Sequence, residues 1–90
     1  MIEEVKIVEQ YEWCIAYDCD TVLYVRLKKW VIESNHSHDH EEVVFLMEGE
    51  VEMVLWEEIQ KIISPTKITI PPNIYHKFTA LTDVIGLEIQ

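Results

Sequence analysis

No stretch of ten or more residues in this chain repeats its apolar positions with helical spacing. Short runs of β-branched and aromatic residues follow one another instead, broken by Asp, Asn, Ser or Pro at intervals of roughly eight to twelve residues. Ile2–Val8 alternates loosely, as an edge strand does, and Tyr11–Tyr17 is a second extended run. After the turn Asp18-Cys19-Asp20, Thr21–Leu27 alternates cleanly, with Val22, Tyr24 and Arg26 on one face and Leu23, Val25 and Leu27 on the other. Trp30–Ile32 resumes a short strand, and Glu33-Ser34-Asn35 reads as a polar connector. Val43–Met47 is a continuous β-type run, Glu48-Gly49-Glu50 reads as a tight hairpin turn, and Val51–Trp56 as its return strand. Glu57–Lys61 fits a short helical turn or a loose hairpin equally. Lys67–Ile70 ends at Pro71-Pro72, because proline cannot donate to a ladder. His76–Leu81 and Val84–Ile89 complete the pattern. The expectation is one compact, all-β barrel or sandwich.

Ninety residues leave no room for a second core, so residues 1–90 are expected to form a single domain. With 7 basic against 17 acidic residues, the net charge of −10 repels nucleic acid and anionic membrane surfaces, and neither is an expected partner. No apolar run approaches the roughly 18 residues of a membrane-spanning helix. The opening MIEEVKIVEQ is too acidic for a signal peptide, so a cytoplasmic location is expected. Cys14 and Cys19 match no zinc or redox spacing and are expected to be free thiols.

Chemistry is concentrated in His36–Gly49, HSHDHEEVVFLMEG. On extended backbone His36 and His38 leave the same face, and Glu42 keeps their parity. Two imidazoles and a carboxylate that converge are the ingredients of a transition-metal site. His76 follows Pro71-Pro72-Asn73-Ile74-Tyr75 at the start of a strand, where a rigid turn fixes the direction of its ring. The pattern His36-x-His38-(x3)-Glu42-(x6)-Gly49, with Pro71-x-Asn73-x-x-His76, resembles the two motifs of the cupin superfamily. The resemblance runs from about residue 30 to residue 81, and the first motif agrees in spacing as well as identity. Trp30 and Pro65 stand where glycines are usual, and Asn73 replaces the glycine of the proline turn.

The resemblance implies a double-stranded β-helix, that is, a jelly-roll barrel. It also implies one divalent metal held by His36, His38, Glu42 and His76. Three imidazoles and a carboxylate favour iron, manganese, nickel or zinc over calcium or magnesium. Four protein ligands leave positions open for a small-molecule ligand or substrate. His40 fails the shifted register, since a His38-x-His40 pair would want its glutamate at Val44, and is a rim, second-shell or exposed residue. Alternation from Glu42 and His76 puts Val44, Leu46, Phe78 and Ala80 beside the metal, with Val22, Tyr24 and Met53 as further candidates. Arg26, the one arginine, suits a carboxylate ligand if it faces inward, and a surface glutamate if it does not. Trp13, Trp30 and Trp56 exceed what so small a barrel buries, which points to a homodimer interface. Function divides between a metal-dependent oxygenase or isomerase acting on a small organic molecule and a non-catalytic binding or sensing module. A structural subunit is a third reading.

Overall fold

A computed structural model of the chain describes residues 2–89, apart from the side chains of residues 34–36. Ten strands run in chain order: β1 Lys6–Gln10, β2 Cys14–Cys19, β3 Val22–Leu27, β4 Ile32–His36, β5 Glu42–Glu48, β6 Glu50–Leu55, β7 Glu58–Ile63, β8 Thr66–Ile70, β9 His76–Ala80 and β10 Val84–Ile89. They form two antiparallel sheets, one in the order β1-β2-β3-β10-β5-β8 and the other β4-β9-β6-β7. The all-β expectation is met, and no helix long and apolar enough to cross a membrane occurs among the described residues.

The core lies between the sheets, and alternation decides what enters it. Val44 and Leu46 from β5 and Ile68 and Ile70 from β8 meet Val51 and Met53 from β6 and Phe78 and Ala80 from β9, all at most 8% exposed. Burial of each large side chain contributes on the order of 1.5–3 kcal/mol. β1 is exposed along its whole length and is held by pairing to β2, as an edge strand should be.

Glu48-Gly49-Glu50 is not a hairpin. β5 pairs with β10 and β8, whereas β6 pairs with β9 and β7, so at Gly49 the chain leaves one sheet and enters the other. The corner requires glycine: φ is +91°, and a Cβ would lie 2.3 Å from the Asp83 carbonyl oxygen and 2.6 Å from Thr82 Oγ1. The Gly49 carbonyl accepts from Ser64 N–H at 3.1 Å, tying this corner to a later crossing at Ser64-Pro65, a cis peptide. The hairpin comes later, at Trp56-Glu57, where Leu55 faces Glu58, and Glu57–Lys61 is thereby turn and strand rather than helix.

Trp30 takes φ 73° as the third residue of a turn closed by Val31 N–H to the Lys28 carbonyl at 3.1 Å. That is the position at which a type II turn favours glycine. Asn73 takes φ 62° after Pro72, the left-handed role for which asparagine is suited.

Candidate metal centre

Glu42 is the first residue of β5 and faces inward at 7% exposure, in line with Val44 and Leu46. His76 opens β9 in a fully buried position, in line with Phe78. His38 lies in the loop between β4 and β5, and the Asn73 N–H binds its carbonyl at 2.6 Å, so the proline turn of one motif pins the loop of the other. His38 Nε2 lies 2.9 Å and His76 Nε2 3.2 Å from the same oxygen, Glu42 Oε2. One ligand atom from each of the three residues falls within 4.8 Å of the others. The His38 side chain, 36% exposed, marks the solvent side.

The lone pairs of this cluster converge. His76 Nδ1 donates to the Ile74 carbonyl at 3.0 Å, and since a carbonyl only accepts, Nδ1 carries the proton. A neutral ring then presents Nε2 to Glu42 as a lone pair. Close as the two nitrogens are, no hydrogen bond reaches buried Glu42 Oε2 among the described residues. An unsatisfied buried oxygen costs about 1–3 kcal/mol, more when charged. A cation at the convergence point would remove that cost, so the donor set fits a metal.

No protein-family profile matches the sequence, and no curated protein sequence is similar to it. Solved structures share its fold. An RmlC-like cupin from Shewanella frigidimarina superposes with a TM-score of 0.79 at 17% identity, over 94% of this chain and 81% of that one. The fold is that of a cupin domain. Two much longer proteins contain it as well. Oxalate decarboxylase of Bacillus subtilis, with Mn(II) centres, matches with a TM-score of 0.78 at 16% identity, over 96% of this chain and 27% of its own. Salicylate 1,2-dioxygenase of Pseudaminobacter salicylatoxidans matches at 0.71 and 14% identity, over 84% of this chain and 20% of its own.

Within this cupin barrel the expected site residues divide. His38, Glu42 and His76 come together, and the Phe78 ring stands edge-on 6.1 Å from that of His76. His36 faces His76 in the β4–β9 register, after a one-residue irregularity, but its side chain lies outside the described residues. His40 is at the rim, its ring 5.4 Å from that of His38. Its Nδ1 donates to Asp39 at 3.0 Å, and the His40 ring holds the Asp39 carboxyl below the usual range. Met53 is buried opposite Phe78.

Val22, Tyr24 and Arg26 are not brought to the cluster. On β3 it is Val25 and Leu27 that pack inward, so the alternate residues point outward. Tyr24 packs against Tyr17 with ring centroids 5.8 Å apart, and exposed Arg26 borders an outer groove with Glu12, Glu48 and Asp83. The parity of β3 was legible in the sequence, whereas which of its two apolar faces meets the core was not.

Two interior residues were missed, Glu33 and Glu88. Glu33 looked like connector and is part of β4. On β10 the set Ile85, Leu87 and Ile89 is the more apolar, yet Val84 and Gly86 are the buried residues, and Glu88 shares their face. Burial, then the charges of Glu33 and Glu42, push the Glu88 carboxyl up to about 8. The signal present in the sequence was the glycine, which leaves room that a larger side chain would fill.

Proposed function

We propose that this barrel holds one divalent transition metal through His36, His38, Glu42 and His76 and presents it to a small organic molecule. The observation that carries the reading is Glu42 Oε2, buried without a hydrogen bond and flanked at 2.9 and 3.2 Å by two imidazole nitrogens. His36 joins the set on its register opposite His76. Iron, manganese, nickel and zinc suit such ligands. The metal, when bound, supplies Lewis acidity, or with iron access to dioxygen. The chain's own residues orient and exclude: the Ile74 carbonyl fixes the His76 ring, while Val44 and Phe78 keep water from the inner side.

The reaction class that best fits is that of an oxygenase or isomerase, and the two longer proteins that share the fold are a dioxygenase and a decarboxylase. A second reading, a binding or sensing module without turnover, draws on the interior cavity, whose volume of about 30 Å³ admits at most a few water molecules. Elemental analysis of untagged protein is expected to find about one metal ion per chain, and His38→Ala or Glu42→Ala to weaken metal affinity at least about tenfold. Wild-type metal content in a His36→Ala/His76→Ala variant would sink the ligand set. Iron(II)-loaded protein that consumes no oxygen with any of a panel of enols and thiols would favour the binding module.

The same reading takes the chain as a homodimer. Tyr17, Tyr24, Leu87 and Phe45 lie side by side across β2, β3, β10 and β5 on the outward face, each only partly buried. Sheets with one solvated face are normally polar there, and a row of this kind suits a second copy related by a two-fold axis. A monomer mass by light scattering at micromolar concentration would remove the dimer.

A further inference from the structure

The layer of the barrel next to these ligands is acidic. Glu33 faces Phe78 across β4 and β9, and Glu88 faces Val44 across β10 and β5. Antiparallel partners share a face, and Phe78 and Val44 are 5% and 8% exposed, so both glutamates point into the barrel. Phe78 is two residues beyond His76, and Val44 two beyond Glu42. The carboxyls therefore occupy the inward layer adjoining the metal ligands.

The Glu33 carboxyl helps to raise that of Glu88, and two carboxyls that meet inside a barrel need a proton on one of them. Both line the interior cavity of about 30 Å³, whose other walls are apolar. Both also line an outer groove of about 420 Å³ with Tyr11 and Trp13, so the pair stands between groove and interior. Among the described residues, no lysine or arginine lines either space. The titratable groups facing Glu88 are Glu33 from β4, Glu42 from β5 and Glu9 beside it from β1, with Cys14 from β2 feeling both glutamates, and none of these is positive. Of the causes that keep its proton on, burial and Glu33 precede Glu42, so neutralising Glu42 leaves the two larger ones in force.

We propose that Glu33 and Glu88 share one proton and select the ligand of the neighbouring metal site, admitting a small group that donates hydrogen bonds and turning away a carboxylate. This rests on the metal reading above. The pair offers several acceptor lone pairs, a net negative charge and one proton that is already committed. An entering hydroxyl or ammonium finds acceptors, whereas a carboxylate meets like charge without a cationic side chain to offset it. The small volume limits the inserted group to about the size of a few water molecules.

The probes that test this are 2-aminoethanol and glycolate, which are alike in size, share a hydroxyl and differ in ending with an ammonium or a carboxylate. Calorimetric affinities are measured on manganese-loaded wild type and on Glu33→Gln/Glu88→Gln, with metal content determined separately for each. The ratio of aminoethanol to glycolate affinity is expected to fall at least about tenfold in the double variant, a change of about 1.4 kcal/mol. A smaller fall overturns the selection. Should the double variant not fold, Glu33→Gln and Glu88→Gln singly are held to the same threshold. Wild type without metal refutes the metal reading and the ligand selection built on it. The acid pair is judged independently, by infrared spectroscopy of metal-free protein at neutral pH. A carboxylic-acid C=O band lost in Glu88→Gln supports the shared proton, and its absence from wild type overturns it.

Discussion

A carboxyl group raised as far as that of Glu88 makes stability depend on pH in a definite direction. In the folded barrel it keeps its proton up to about 8, whereas the unfolded chain releases it near 4.5. Between those values the folded state binds more protons, so the stability Glu88 contributes is fully present below pH 4.5 and is lost as pH rises toward about 8. Glu88→Gln cannot ionise, and its urea midpoint is expected to change less over that window and to exceed that of wild type at its alkaline end. Parallel pH profiles for the two proteins would contradict this. The histidine–glutamate cluster was legible because His38, Glu42 and His76 stand at fixed offsets from a glycine and a proline turn. Glu33 and Glu88 lack that punctuation. Their role arises from cross-strand register to Phe78 and Val44, which long-range pairing decides and local sequence does not.

At the level of elements, the turns carry the information the strands lack. A glycine between two apolar runs states that the chain changes direction, but not whether it returns to the same sheet. The hairpin expected at Gly49 is a crossing for that reason, and the crossing leaves no space for a side chain. Gly49→Ala sets a Cβ against the Asp83 carbonyl at positive φ, and is expected to cost roughly 2 kcal/mol or more, read as a lower urea midpoint. Trp56 poses the opposite case. It has φ 56° as the first residue of a two-residue hairpin loop, a site that favours glycine, and its side chain is 62% exposed. Trp56→Gly is expected to stabilise by about 1 kcal/mol, raising the thermal midpoint by roughly 4–8 °C. A lower midpoint would mean that the exposed indole is covered by another surface.

For the whole molecule, the question is what holds two sheets together that share few backbone ties. The sheets are joined mainly by the packing of side chains between them. The proposed ligand set spans this divide. Glu42 comes from β5 in one sheet, His76 from β9 in the other, and His38 from the loop that leads from β4 to β5. A metal bound there cross-links the barrel, and linkage requires it to stabilise the folded state by about 2.7 kcal/mol at one hundred times its dissociation constant. For a chain of this size that is a thermal shift on the order of 10–20 °C. Scanning fluorimetry should show the midpoint falling with a chelator and recovering when manganese or zinc is restored. Glu42→Gln keeps the shape of the side chain and removes its charge, so its shift is expected to be much smaller. An undiminished shift in Glu42→Gln would move the metal away from the seam between the sheets, toward exposed groups such as His40 and Asp39 that cannot tie one sheet to the other.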